Sequence, residues 1–375
     1  DRDGRFVVAW ASQSTSTPGG FQVVARRFDQ AGAPRGSDFA VTSPAFVQHA
    51  PDAAIDETGR LAIVWASDTS IRGRLWDAEG TPLGLEFVVS STPAQVGSPD
   101  VAFAPQGGFV VVWLAGVAPG PERDVFAQRF DATGTRLGLE FRVNAVTSGF
   151  EDEPTVAFQD SGSFVVAWSS LFLPLGQRIV YQRLFTASGN PLTSDVLVDT
   201  IDDCCPRLAP GANGDLLTTW TTGATDFDVA ARRFDAAGTP LETAFVVPQF
   251  TGGFQAAPDV VGSGGAYVLA WESDTLTGSQ DVFARLLGWL PSALAVDPSP
   301  LQSNGNGVLE AGETVIAAPA WTNADRAAAA LTGLATSFTG PGVAPVYSIA
   351  DSAANYGTLP VGVKADCLAA TANCY

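Results

Sequence analysis

The stretch Gly107–Trp113, GGFVVVW, sets the fold of this chain because it recurs. GRFVVAW ends at Trp10, GRLAIVW at Trp65, GSFVVAW at Trp168, GDLLTTW at Trp220 and GAYVLAW at Trp271. The tryptophans are 55, 48, 55, 52 and 51 residues apart. Each copy opens on glycine and runs through β-branched and aromatic residues, the pattern of a strand after a turn. A second strand follows, as in FQVVARRFD (21–29), RDVFAQRFD (123–131) and FDVAARRFD (227–235). Next comes a turn of constant form, DQAG, DAEG, DATG, TASG or DAAG, with Asp to accept backbone N–H bonds and Gly to supply positive φ. A short strand (FAV, FVV, FRV, VLV, FVV) and a proline-led strand (PDAAI, PDVAF, PTVAF, PRLA, PDVV) complete the unit.

Four short antiparallel strands repeated about every 52 residues describe a β-propeller blade. The expected fold is all-β: a six-bladed propeller over 1–296 whose first blade lacks its innermost strand, then a small β-sandwich-like module over 297–375. The ring would close with residues upstream of Asp1 or borrowed from near 293–297. In the second strand, one position alternates as Arg27, Leu75, Arg129, Leu184, Arg233 and Leu286, which suggests a duplicated two-blade unit. The repeated tryptophans and arginines could form one lectin-like site per blade. Packing between blades is the better reading, because strand side chains there alternate between covered faces.

The 375 residues carry a net charge of −19, 46% hydrophobic and 16% charged residues. This excludes a disordered chain and a nucleic-acid partner, since nothing could neutralise a phosphate backbone. No apolar window is long enough to cross a bilayer. His49 is the only histidine, which excludes His-ligated zinc and Ser-His or Cys-His catalysis. The four cysteines read as disulfides of an oxidising compartment, and they allow three pairings among which the sequence does not choose; the expected one is Cys367–Cys374 closing a small loop, with a strained vicinal Cys204–Cys205 bond.

Function is expected where the repeat is irregular. The loops after the tryptophans and before the prolines vary and emerge on one face. His49, Glu122, Asp124, Glu151, Asp152, Glu153, Asp202, Asp203, Asp226 and Asp228 fall there. Two of these carboxylates could serve a glycosidase, but nothing isolates a pair from an acidic surface. In the tail, QSNGNGVLEAGE (302–313) partly matches a calcium loop. Asn304, Asn306, the Val308 carbonyl, Glu310 and Glu313 would be its Ca²⁺ ligands, with Gln302 where Asp is usual.

The GxFVVVW…AQRFDAxGTPLGxEFxV repeat resembles one widespread in secreted and surface bacterial proteins. NGNGVLEAGE followed by AWTN and paired cysteines is similar to a module of large secreted bacterial proteins. These resemblances imply an extracellular, cell-surface address and carry over no activity. The expectation is a binding or adhesion protein with a protein or glycan partner and no enzymatic activity. A propeller lectin and a secreted glycoside hydrolase are the alternatives.

Overall fold

The computed structural model describes residues 1–13, 20–42, 48–67, 70–91, 96–116, 122–172, 176–200, 203–211, 214–223, 227–249, 251–263, 266–274, 280–296, 316–324, 329–334, 353–360, 363–372 and 374. The chain divides into two units, 1–261 with 270–284, and 262–269 with 285–375.

In the first unit, β1 (Phe6–Gln13), β2 (Phe21–Phe28) and β3 (Phe39–Ala40) form sheet one. Sheet two is β4 (Gln48–Ile55), β5 (Leu61–Ser67), β6 (Ser70–Trp76) and β7 (Phe87–Val88). Sheet three is β8 (Val96–Phe103), β9 (Phe109–Gly116), β10 (Arg123–Phe130) and β11 (Phe141–Arg142). Sheet four is β12 (Phe150–Phe158), β13 (Phe164–Phe172), β14 (Gln177–Phe185) and β15 (Val196–Asp199). One parallel bridge, Arg123↔Phe150, joins it to sheet three. Sheet five is β16 (Cys204–Pro210), β17 (Leu216–Thr222), β18 (Asp228–Phe234) and β19 (Phe245–Val246). Then come β20 (Gln255–Ser263), β21 (Ala266–Asp274) and β22 (Gln280–Val296). Within each sheet consecutive strands pair antiparallel, so each is a meander.

The first strands of sheets two to five lie against one another in series, β4 with β8, β8 with β12 and β12 with β16, and they are the inner strands. The tryptophan strand β1 of sheet one lies against β4. Apolar cores fill the spaces between consecutive sheets. Trp65 packs with Val23 and Val41, Trp113 with Val64, Trp168 with Val110 and Val112, and Trp220 with Val165 and Ala167. This is the propeller arrangement, all-β and built from repeated meanders.

The repeated arginines serve this packing. Arg26, Arg74, Arg183 and Arg232 each lie over the aromatic ring two residues on, at 5.5–5.9 Å. Three also donate to a buried carbonyl of the preceding sheet: Arg74 to Val41, Arg183 to Val143 and Arg232 to Val198. Sheet three has Gln128 at this register, too short to reach. Arg136 takes over, donating to the Val89 carbonyl at 2.7 Å and to Gln128 Oε1 at 3.2 Å. Residue 136 sits where the sister sheets place Pro34, Pro82, Pro191 and Pro240, in the same isolated bridge. Arg136→Pro should therefore cost roughly 1.5–3 kcal/mol, the worth of a hydrogen bond to a charged donor. Adding Gln128→Arg should recover most of it, as urea denaturation of the two variants would test.

The alternation in β2, β6, β10 and β14 also has a cause. Arg27 donates to the carbonyls of Asp77 and Ala78, and Arg129 to that of Ala187, each in the next sheet's turn. Leu75 and Leu184 instead press on Gly134 and Gly238 of the next turn, where an added Cβ would lie 3.2 and 2.9 Å from a leucine methyl. The turn aspartates hold their own loops: Asp131 accepts from the N–H of Thr133 and Thr135, and Asp235 from those of Ala237 and Thr239.

In the second unit, residues 289–296 of β22 pair with β23 (Ala317–Asn323), which pairs with β26 (Lys364–Asp366). Residues 293–296 face 317–320. Among the described residues, the second edge of β1 carries no strand. β24 (Ala329–Leu334) pairs with β25 (Ala353–Leu359). A short helix, α1 (Cys367–Thr371), starts at Asp366, whose carboxylate accepts from the Ala369 N–H. Cys367 and Cys374 are joined in a disulfide, and Cys367 is buried with Ala318, Ala354 and Tyr356. No helix among the described residues is long and apolar enough to cross a membrane.

Candidate functional site

Every proline-led inner strand is bulged at the same place. The residue before the proline is left-handed without being glycine: Ala50, Ser98, Glu153, Cys205 and Ala257 have φ between 46 and 61°. The ladder slips there, between His49 and Asp52, Gly97 and Asp100, Asp152 and Thr155, and Cys204 and Arg207. Such a conformation costs on the order of 1–3 kcal/mol per residue, and bulges re-aim side chains next to functional sites. Each bulge lies near the variable-loop end of its strand.

The residue after the proline is Asp52, Asp100, Thr155, Arg207 or Asp259. Asp52 Oδ2 accepts the Val101 N–H at 2.9 Å, and Asp100 Oδ2 accepts the Val156 N–H at 2.6 Å. Each carboxyl thus ties its inner strand to the next. The Asp52 and Asp100 carboxyls are also hydrogen-bonded to each other. Burial raises the pKa of both. For Asp100 the Asp52 charge adds to it and holds the value well above the usual carboxylate range. The Arg207 guanidinium acts in the opposite sense on both. Two like carboxyls that interact this strongly titrate as a pair, with the ionised form of both disfavoured.

On β12, Asp152 lies 3.8 Å from both Arg123 and Arg178. Glu153 Oε2 accepts the Cys205 N–H at 2.8 Å, and its Oε1 lies 3.4 Å from the Cys205 Sγ. Cys204 and Cys205 are free thiols, which corrects the expected vicinal bond. Instead the two thiols are hydrogen-bonded to each other, which lowers the pKa of Cys204 and raises that of Cys205.

Three residues before each bulge proline stand Gln48, Val96, Glu151, Asp203 and Gln255, all buried. Gln255 accepts the Trp271 indole N–H at 3.0 Å. Glu151 reaches Ser170 and Trp168 in the same way. Burial raises its pKa to about 8, helped by the charges of Asp124 and Asp195. In the unfolded chain this acid would titrate near its usual 4.5. The folded chain keeps a proton that the unfolded chain has released, so stability falls as pH rises from about 4.5 to about 8. The slope is at most about 1.4 kcal/mol per pH unit. Glu151→Gln, the residue sheet two and β20 already use, should remove that slope in urea midpoints measured across this range.

The structure disperses the other expected residues. His49 and Glu122 are exposed. Asp124 is buried and bonded by Asn144 Nδ2 at 2.7 Å, near Glu151 but within the packing of sheets three and four. Asp203 is buried at the start of β16, its N–H donating to the Arg178 carbonyl. Asp228 is half-buried at the start of β18. Asp202, Asp226 and the calcium-loop residues Asn304, Asn306, Val308, Glu310 and Glu313 lie outside the described residues. Sequence reasoning passed over Asp52, Asp100 and Arg207. The available signal was the position after the proline, which reads Asp, Asp, Thr, Arg, Asp while a proline precedes it and an apolar residue follows it in every copy.

No protein-family model matches the sequence, and no curated protein does. Solved structures do match. A protein of unknown function from Dyadobacter fermentans aligns with a TM-score of 0.56 at 12% identity, over 75% of this chain and 90% of that one. An ulvan lyase from a new family of polysaccharide lyases aligns with a TM-score of 0.53 at 11% identity, over 77% of each chain. A Penicillium chrysogenum α-L-arabinanase complexed with arabinobiose aligns with a TM-score of 0.44 at 12% identity, over 72% of this chain and 87% of that one. The expectation of a chain without enzymatic activity is corrected by the second of these matches, since the fold this chain shares is also that of a polysaccharide lyase.

Proposed function

We propose that this chain is a carbohydrate-active propeller. It binds a neutral glycan at the inner-strand end that faces the variable loops, and Asp100 donates a proton to it. The observation that carries this reading is the hydrogen-bonded Asp52–Asp100 pair opposed by Arg207. Such a pair offers one acid and one acceptor at neutral pH, and the guanidinium offers donors for sugar hydroxyls. The two carboxyls are far closer than the roughly 5–9.5 Å between the working groups of most glycosidases, so they act as one unit. The net charge of −19 disfavours a polyanionic glycan. The fold shared with an ulvan lyase supports a polysaccharide as substrate class.

The same proposal includes a six-bladed ring over 1–296, a sandwich-like module over 297–375 and an extracellular address. The Cys367–Cys374 disulfide supports the last. The test is a glycan array followed by reducing-end assays on the neutral glycans that bind. Binding with release of new ends supports the reading. Binding without release would leave the lectin alternative, and no binding to any neutral glycan would end the glycan reading.

A further inference from the structure

The inner strands β12 and β16 bring three metal-binding side chains together from two adjacent sheets. One donor atom each from Glu153, Cys204 and Cys205 lies within 4.8 Å of the others, and all three residues are half-buried. Both Glu153 and Cys205 occupy the left-handed bulge position, which turns them out of their ladders. At this register and the one before it, the other inner strands carry His49 with Ala50, Gly97 with Ser98, and Ala256 with Ala257. No other described group of three His, Cys, Asp or Glu side chains converges in this way.

The carboxylate is held in place before any ligand arrives. The Cys205 N–H fixes Oε2 at 2.8 Å, which directs Oε1 toward the Cys205 sulfur at 3.4 Å. Zinc takes Zn–S bonds of about 2.3 Å and Zn–O bonds of about 2.0–2.2 Å, so a tetrahedral centre holds its sulfur and oxygen ligands about 3.5 Å apart. The observed sulfur-to-oxygen spacing matches that of such a centre, and the third donor lies within 4.8 Å of both. Two sulfurs select a soft or borderline cation over calcium or magnesium, which prefer oxygen.

We propose that Glu153, Cys204 and Cys205 form a site for a thiophilic divalent cation of the zinc class, bound through two sulfurs and one carboxylate oxygen, with the fourth position left to water. The site is independent of the glycan reading and separate from the Cys367–Cys374 bridge.

The test uses the full chain, freed of metal and titrated with Zn²⁺ by calorimetry and with Co²⁺ by absorption. One equivalent of Co²⁺ should give sulfur-to-cobalt charge-transfer bands and the visible spectrum of a tetrahedral centre. Cys204→Ser and Cys205→Ser should each remove those bands. Glu153→Gln, which leaves both thiols in place, should weaken Zn²⁺ binding about tenfold or more while the sulfur bands persist. Glu122→Gln should change nothing. A Co²⁺ spectrum without sulfur bands, Zn²⁺ binding untouched by all three variants, or a Cys204–Cys205 disulfide in peptide maps of the purified protein would overturn the proposal.

Discussion

Asp100→Asn is expected to lower turnover of a neutral glycan by about 10²–10⁴-fold, the usual contribution of a positioned acid, while binding changes only a few-fold. The reason lies in the hydrogen bonds. An asparagine oxygen can still accept the Val156 N–H, and its amide can still donate to Asp52, so the inner strands stay tied. What disappears is the transferable proton. Asp52→Asn should act differently: it removes the neighbouring charge that holds the Asp100 proton, so the Asp100 pKa falls and the alkaline limb of activity, where the acid is lost, moves to lower pH. Reducing-end release measured across pH for both variants checks the assignment. Full turnover in Asp100→Asn would refute it.

Trp168→Ala should lower the stability of the first unit by roughly 3–5 kcal/mol, the range for deleting a buried aromatic. Trp168 is 1% exposed, packs on the valines of sheet three and stacks on Tyr181 at 6.1 Å. Trp10, at the same place in the repeat, should cost much less. It lies in sheet one, whose Phe6 and Val8 are 42% and 44% exposed. Urea midpoints of the two variants compare them directly. Equal losses would mean that sheet one is covered in solution on the side of these residues.

The repeat was legible because period and composition agree: glycine, β-branched run and tryptophan recur in step, and a meander follows from them. The packing role of the arginines was legible for the same reason, although the relay from Gln128 to Arg136 was not, since it joins two departures eight residues apart. The bulges left no trace. A left-handed residue usually announces itself as glycine, and here it is Ala, Ser, Glu, Cys and Ala. Without the bulges, Asp52 and Asp100 read as ordinary second residues of strands. Glu151 looked like one of many surface acids. Its burial follows from its register, where the sister strands carry Gln48, Val96 and Gln255. Helix α1 was hidden by its length of five residues and is framed by the Asp366 cap and the Cys367–Cys374 bridge.

The bulge has an evolutionary consequence. Duplication of the repeat copied a backbone kink as well as a sequence, and the kink takes its residue out of the hydrogen-bonded ladder. That position can change chemistry without disturbing the packing of either neighbouring sheet. The chain thus inherited equivalent sockets, which were free to diverge one by one: small and silent as Ala50 and Ala257, a hydroxyl at Ser98, an acid at Glu153, a thiol at Cys205. An array of near-identical parts can in this way acquire a single asymmetric centre, because selection can act on one copy while the others keep the scaffold standing.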